Sequence, residues 1–197
     1  MNNPSKKMKN QQPKVIIVTG RPASGKSTLA KWLSQELELP LVSKDNIREI
    51  LFERLGWKDR PWAQLLGRAS VDLMFYFADA ELGVGNSIIM DNSFHPPIST
   101  PRFQDLKEKF DAGSVQIICH STKEILFERF KARAKTGNRH PGHGDNDVLD
   151  ELYKYLADEK PQILDIGGLV IEVDTTDFEK IDYQGILKQV NSFLVEQ

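Results

Sequence analysis

Short apolar segments alternate along the chain with longer segments in which apolar residues recur every three or four positions. The apolar segments, which predict strands, cover residues 14–19, 40–43, 86–91, 114–120 and 168–174. The periodic segments, which predict helices, cover residues 24–38, 62–80, 103–110, 122–135, 147–157 and 183–195. Strands that alternate with helices are typical of a parallel sheet covered by helices on both faces. The pattern therefore predicts one α/β domain, with ligands bound at the carboxyl ends of the strands.

The longest helical segment carries an apolar stripe that is expected to face the core. Its members are Trp62, Leu66, Ala69, Leu73, Phe77 and Ala80. The neighbouring aromatic residues 75–77 are expected to belong to the same core, and the alternative is that they form one wall of a ligand pocket.

A glycine-rich segment between the first strand and the first helix carries the clearest chemical signal. Residues 20–27 read GRPASGKS and fit the pattern G-x-x-x-x-G-K-[ST] of a phosphate-binding loop. Glycines let successive backbone N–H groups point at an anion, and the following helix adds its dipole at the same place. The alternative is a turn that merely joins a strand to a helix. The predicted nucleotide contacts are Gly20, Ala23, Ser24, Gly25, Lys26, Ser27 and Thr28, with Lys26 on the outer phosphates and Ser27 on Mg²⁺.

Composition narrows the class of protein without identifying it. The chain has 197 residues and a formal net charge of −2, so no general attraction to nucleic acid or to an anionic membrane is predicted. No segment approaches the roughly 18 apolar residues of a membrane span, and the polar N terminus does not resemble a signal peptide. The single cysteine, Cys119, is expected to be buried, and this usage fits a reducing cytoplasm. Residues 1–12 are expected to form a disordered basic tail and residues 13–197 one domain.

Acidic residues follow two of the predicted strands. Asp91 ends the run IIMD, where a carboxylate suits Mg²⁺ or its water shell, although it could instead cap a turn. Asp45 follows the second run and has two interpretations. It is either the N-cap of a helix starting near Asn46 or a carboxylate that orients an acceptor hydroxyl and takes its proton. Arg48 shares the helix face of Asp45 and could hold an anionic group of the acceptor, or could simply be solvated.

A basic stretch from residue 123 to residue 143 ends in a glycine-rich segment. Arg133 and Arg139 flank the start of this segment, TGNRHPGHG at 136–144, which is not expected to form regular structure. Arginines on a flexible loop can close over a transferred phosphoryl group and exclude water. A lid is therefore predicted at about 128–145, and a solvated charged face is the alternative. His140 and His143 match no zinc-binding spacing.

Four motifs together resemble the P-loop kinases that phosphorylate hydroxyl groups. The resemblance is to the group of polynucleotide 5′-kinase domains, chloramphenicol phosphotransferases and related AAA-like ATP-binding proteins. The motifs are GRPASGKST at 20–28, SKDNIRE at 43–49, IIMDNSF at 88–94 and ERFKARAKTGNRHPGH at 128–143. The likeness spans about residues 14–178 and implies a three-layer α/β/α P-loop NTPase fold, with five parallel strands in the order 2-3-1-4-5. It also implies that Asp45 is the base, that Asp91 is the strand-end acid and that Arg133 and Arg139 are lid arginines.

The same resemblance places the nucleotide base and leaves the acceptor open. The loop after the last strand, residues 175–178, would border the adenine, so Thr175 and the nearby Arg129 join the cofactor-binding residues. Polynucleotide kinases tend to carry an Asp-x-Thr-Asn signature after the third strand, whereas residues 91–94 here read DNSF. Because those residues line the acceptor side in that family, the departure leaves the identity of the acceptor open.

The sequence thus predicts an ATP- and Mg²⁺-dependent phosphotransferase that acts on a hydroxyl group, with a small molecule as the expected acceptor. The predicted roles are catalysis for Lys26, Asp45, Arg133 and Arg139, metal binding for Ser27 and Asp91, and acceptor binding for Asp45 and Arg48. Three alternatives remain: a nucleoside, nucleotide or polynucleotide 5′-kinase, the last of which would act on a nucleic-acid end; a toxin-like kinase of nucleotide sugars; and an ATP-binding switch without an acceptor. No membrane partner is expected, and the chain is expected to be a monomer or a weak dimer.

Overall fold

The computed structural model describes residues 12–157 and 162–195. Its strands are β1 (Lys14–Gly20), β2 (Leu41–Ser43), β3 (Ile88–Asp91), β4 (Gly113–His120) and β5 (Leu169–Asp174). Its α-helices are α1 (Lys26–Leu37), α2 (Lys44–Leu55), α3 (Arg60–Gly83), α4 (Pro96–Phe110), α5 (Lys123–Thr136), α6 (Leu149–Tyr155) and α7 (Tyr183–Val195). Short 3₁₀ turns cover Pro141–His143, Asp145–Val148 and Phe178–Lys180. Apart from Gln12, the predicted tail at 1–12 lies outside the described residues.

The five strands form one parallel sheet in the order β2-β3-β1-β4-β5, which confirms the predicted fold class and strand order. Helices cover both faces, and the central strand β1 is buried on both sides. Val15 and Ile17 join the core beneath α3 and α4, whereas Ile16 and Val18 join the core beneath α1 and α7. This alternation explains why the first apolar run is continuous rather than periodic.

A third apolar cluster holds α5 against α6 beside the phosphate loop. Leu126 and Phe130 of α5 pack on Leu152 and Leu156, and Ala23 of the phosphate loop lies against the same cluster. Movement of α5 and α6 is therefore mechanically connected to the loop that follows β1.

Of the helices that the structure describes, none combines the length and the apolar character needed to cross a membrane.

The junction between β2 and α2 has no loop. Ser43 ends β2 and is the N-cap of α2, so the interpretation of Asp45 as the N-cap of a helix starting near Asn46 is wrong. The Ser43 hydroxyl does not bond to the helix end, because it donates to Asp91 instead. The helix α1 starts at Lys26 rather than at residue 24, because Gly25 has a left-handed φ of 81° that an α-helix cannot continue.

Two other helices depart from the predictions. The helix α4 begins at Pro96 rather than at residue 103, because proline is well tolerated in the first turn of a helix. The helix α3 buries Leu66 as expected, but Leu73 and Phe77 are 38% and 48% exposed, and Met74 faces the core instead. Because apolar residues lie on more than one side of α3, their spacing predicts a helix without fixing which side packs.

Candidate active site

The phosphate loop connects β1 to α1 at the carboxyl edge of the sheet. Gly20 has a φ of 149°, and a Cβ atom there would lie 2.3 Å from the carbonyl oxygen of Cys119. Gly25 has a φ of 81°, and a Cβ atom there would lie 2.6 Å from the ring of Phe178. Only glycine fits these two positions without rearrangement. Ala23, which lies between them, also has a positive φ of 64°, a strained conformation of the kind found at functional sites.

Lys26, the first residue of α1, lies between this loop and two carboxylates. Its Nζ donates a hydrogen bond to the carbonyl oxygen of Arg21 at 3.4 Å. Burial lowers the pKa of Lys26, and the charges of Asp91 and Asp45 partly oppose this effect. The remaining predicted phosphate contacts lie in the same turn, with Ser24 buried and Ser27 and Thr28 exposed.

Asp91 ends β3 and stands beside Val18 of β1 and Ser43 of β2 in the sheet. Its Oδ2 accepts a hydrogen bond from the Ser43 hydroxyl at 3.0 Å, whereas its Oδ1 is buried without a hydrogen-bond partner among the described residues. Burial raises the pKa of Asp91, and the charge of Lys26 opposes this rise. A buried carboxylate oxygen with spare bonding capacity, close to the Ser27 hydroxyl, offers the hard oxygen donors that Mg²⁺ prefers. These residues therefore fit the predicted magnesium site.

Two carboxylates and the two predicted lid arginines form one connected cluster in the same cleft. Arg139 forms an ion pair with Asp45 and another, at 2.6 Å, with Asp145. Arg133 lies 3.4 Å from the second oxygen of Asp145. Burial would raise the pKa of Asp45, but Arg139, followed by Lys44, holds it well below its usual value. The Asp45 carboxylate is therefore ionised, and Asp145, to which no sequence motif pointed, links it to both arginines.

The glycine-rich segment after α5, residues 137–148, is here called the lid segment, and it lies against α2. The ring of His140 stacks on Phe52 at a centroid distance of 5.1 Å, and its Nε2 lies 3.0 Å from a carboxylate oxygen of Glu53. Gly142 approaches the ring of Phe52 so closely that a Cβ atom at residue 142 would lie 2.8 Å from that ring. The segment contains two 3₁₀ turns where irregular backbone was expected, because Pro141 fits the first position of such a turn.

His143 anchors the lid segment by a buried imidazole. Its Nε2 lies 2.9 Å from a carboxylate oxygen of Glu49, and its Nδ1 lies 3.4 Å from Nη1 of Arg48. Burial, with the charge of Arg139, lowers the pKa of His143 to about 3, so the ring is neutral at physiological pH. Neutral histidine has one donor and one acceptor, so Nε2–H donates to Glu49 and Nδ1 accepts from Arg48. The guanidinium of Arg48 also donates from Nη2 to the carbonyl oxygen of Ala63 at 2.8 Å, which ties α2 to α3.

Arg129 and Thr175, the other predicted cofactor-binding residues, meet beside the phosphate loop. Arg129 donates to the carbonyl oxygens of Thr175 and Thr176 at 2.8 and 3.0 Å. Its guanidinium also lies 3.8 Å from the ring centre of Phe178, which in turn contacts the Gly25 position. Arg129 thus supports the loop after β5 at the edge of the phosphate loop, and it is not among the described residues that line the cleft.

One cleft of about 440 Å³ unites most of the predicted site. Its lining residues include Lys26, Ser27, Lys44, Asp45, Arg48, Arg60, Asp91, Arg133, Arg139, His143, Asp145 and Glu151. The predicted catalytic, metal-binding and acceptor-binding residues therefore face a common space. Cys119 is buried as expected, and burial raises its pKa to about 12, so its thiol is not reactive.

A parallel sheet of this strand order, with a phosphate loop after its first strand, defines a P-loop kinase-like domain. Residues 15–158 match the AAA domain family, and the chain belongs to that family. A solved structure of a candidate kinase from Chloroflexus aurantiacus is 36% identical in sequence and has a TM-score of 0.83. The alignment covers 94% of this chain and 97% of that protein, so the two share their whole architecture.

More distant relatives agree with this class. An uncharacterized protein of Mycobacterium tuberculosis is 26% identical in an alignment of 151 positions that covers 73% of this chain but only 29% of that longer protein. Shikimate kinase of Rhodopirellula baltica is 24% identical over 183 residues, with 86% of this chain and 87% of the enzyme covered. Kti12 of Chaetomium thermophilum, solved with ADP-AlF3, shares the fold alone, with a TM-score of 0.64 at 16% identity over 92% of this chain and all of that one. The shikimate kinase and the Chloroflexus structure support a kinase-type domain, a fold that implies nucleotide binding.

Proposed function

We propose that this chain is an ATP-dependent kinase that transfers the γ-phosphoryl group to a hydroxyl group of a small molecule. The observation that carries the proposal is that Lys26 and Asp91 share one cleft with the ionised carboxylate of Asp45. Nucleotide binding requires Lys26 and Asp91. A carboxylate such as Asp45, at the far side of the phosphates, is useful when an acceptor hydroxyl must be oriented. The kinases among the relatives support transfer to an acceptor over nucleotide binding alone.

On the nucleotide side, the backbone N–H groups of the phosphate loop and the ammonium of Lys26 would bind the β- and γ-phosphates. The Ser27 hydroxyl and Asp91 would hold Mg²⁺, which offsets phosphate charge when it is bound. Burial of Asp91 makes its charge unfavourable until a cation compensates it, so metal and nucleotide should bind together.

On the acceptor side, Asp45 would accept a hydrogen bond from the hydroxyl and aim its oxygen at the γ-phosphate. Phosphoryl transfer has a loose transition state that needs position more than a strong base, so a carboxylate with a low pKa suits this role. Arg139 and Arg133 would stabilise charge on the transferred group, which requires Arg139 to share or leave its ion pair with Asp45. In this proposal the lid comprises residues 128–145, which are the end of α5 and most of the lid segment, and it carries both arginines.

Two variants test the proposal, together with the conservative control Asp105→Asn on the exposed side of α4. ADP release would be measured with a panel of sugars, nucleosides, hydroxy acids, antibiotics and oligonucleotides, each corrected for the rate without acceptor. We expect Asp45→Asn to lower turnover at least 100-fold with ATP affinity unchanged, and Lys26→Ala to abolish ATP binding. Turnover within a few-fold of the wild type in Asp45→Asn would contradict the assignment of the base.

The same panel separates the alternative functions. Release of ADP with oligonucleotides only, with label appearing at the 5′ end, would identify a polynucleotide kinase. ATP binding without acceptor-stimulated release for any compound would favour an ATP-binding switch and would contradict the proposed transfer.

A further inference from the structure

The side chain of Lys44 places a cation in the cleft, and this cation has no ion-pair partner among the described residues. Lys44 is the first residue of α2 and lines the cleft between Ser43 and Asp45. Within residues 12–157 and 162–195, no acceptor lies within hydrogen-bond or ion-pair distance of its ammonium group. Burial lowers the pKa of Lys44, and only the charge of Asp45 opposes this. A desolvated ammonium without a partner is unfavourable, so this position is ready to receive an anion.

The other cations of the cleft each have a protein partner in the described part of the chain. Those partners are the Arg21 carbonyl for Lys26, the Ala63 carbonyl for Arg48, Glu151 for Arg60, Asp145 for Arg133, and Asp45 with Asp145 for Arg139. Arg48, for which an anion-binding role was predicted, also lines the cleft, while its Nη2 and Nη1 hold α2 to α3 and to the lid segment. Among the described residues that line the cleft, Lys44 is the cation whose charged group has no such partner.

The position of Lys44 favours the acceptor over the nucleotide. Its side chain runs along α3, where a Cβ atom at Gly67 would lie 4.0 Å from Cε of Lys44. The charges of Asp45, Arg48 and Arg139 each act on Lys44 more strongly than the charge of Lys26 does. Consecutive residues of a helix diverge by about 100°, so Lys44 and Asp45 can contact two different groups of one bound molecule.

We propose that Lys44 selects an acceptor that carries an anionic group, a carboxylate or a phosphate ester, on the same molecule as the hydroxyl that faces Asp45. This inference rests on the proposed kinase function and adds the substrate class. A neutral alcohol would leave the ammonium desolvated and unpaired, and sites that bind a polar group discriminate strongly against analogues that lack it. Lys44 acts as a specificity-determining residue and takes no part in the transfer itself.

Binding of simple anions tests this role without knowledge of the acceptor. The protein is first saturated with a non-hydrolysable ATP analogue and Mg²⁺, so that the phosphate loop is filled, and is then titrated with inorganic phosphate or acetate. The variants are Lys44→Met, which keeps most of the side-chain length without the charge, Lys44→Arg, and the control Lys31→Met on the exposed side of α1.

We expect at least one of the two anions to bind the wild type, Lys31→Met and Lys44→Arg, and to bind Lys44→Met at least five-fold more weakly. Stronger binding of phosphate would identify a phosphate ester as the source, and stronger binding of acetate a carboxylate. Equal affinity for the wild type and Lys44→Met, or no binding of either anion to the wild type, would overturn the proposal.

Acceptor kinetics separate a failure of this inference from a failure of the proposed function. Each hydroxy acid or sugar phosphate would be assayed beside its neutral counterpart. We expect the anionic member to be preferred at least tenfold, and Lys44→Met to raise its KM tenfold or more with little change in kcat. Equal use of both members would overturn the role of Lys44 and leave the kinase function standing. ATP binding with no turnover of any acceptor would overturn the kinase function, whatever the anions do.

Discussion

Replacing Gly142 with alanine adds one methyl group where the lid segment meets α2. Its Cβ would lie 2.8 Å from Cγ and Cδ2 of Phe52 and 3.0 Å from Nδ1 of His140. The Phe52 side chain is 0% exposed, so its ring has no room to move aside. Overpacking of this kind costs about 1–3 kcal/mol. Because Gly142 lies where the lid segment meets α2, we expect the added strain to displace the segment from α2 while the sheet stays folded.

Hydrogen exchange measures that displacement directly. The amides of His143, Gly144 and Asp147 donate hydrogen bonds within the lid segment, and they should exchange about five- to 150-fold faster in Gly142→Ala, with β1 and β4 unchanged. Gly83→Ala at the end of α3 is the matched control, because Gly83 has no left-handed φ and a Cβ atom there would meet the ring of Phe110 at an ordinary 3.5 Å. If the effect is steric, Gly142→Ala should cost less in a Phe52→Leu background. An equal cost in both backgrounds would refute the reasoning.

Three further outcomes follow from the charges of the site. Asp145→Asn removes the charge that Arg133 and Arg139 share, so the free energy of unfolding, measured with denaturant, should fall by about 2 kcal/mol. In the double variant with Arg139→Gln, the loss of stability should be smaller than the sum of the two single losses. Asp91→Asn should stabilise the nucleotide-free protein at pH 7, because burial disfavours the charge of Asp91. The same variant should remove the added stability that Mg²⁺ gives the ATP complex, and an undiminished Mg²⁺ effect would contradict the metal assignment. The pKa of His143 is about 3 when folded against an ordinary 6.5, so the unfolded chain takes up the proton first and stability should fall by about 2 kcal/mol between pH 7 and pH 5. His143→Gln should flatten that part of the curve, and an unchanged slope would rule out this origin.

The parts of the molecule that depend on local sequence were predictable. The apolar runs located all five strands to within two residues, because buried parallel strands are continuously apolar. The phosphate loop was recognisable because its glycines are needed for the local backbone conformation, such as the left-handed φ at Gly25. The strand order came from the resemblance to P-loop kinases rather than from the residues alone.

The parts that depend on distant contacts were not predictable. Asp145 binds two arginines that are close to it in sequence, but its importance arises only when Arg139 reaches Asp45, 94 positions away. His143 and Glu49 are also 94 positions apart, and although each ends one of the motifs, neither motif indicates that the two residues meet. The unpaired state of Lys44 is a property of its surroundings in three dimensions. A single sequence contains no signal for such a property.

The direct passage from β2 into α2 has a consequence for how such a site can change. Asp45 sits on a rigid extension of the sheet, because Ser43 is at once the end of a strand, the cap of a helix and a hydrogen-bond donor to Asp91. One inserted residue at this junction would turn α2 by about 100° and carry the carboxylate away from the cleft. This junction therefore gives Asp45 no hinge with which to adapt to a new acceptor. Evolution or design toward other acceptors has to act on α3 and the lid segment, whose side chains can vary while the carboxylate stays in place.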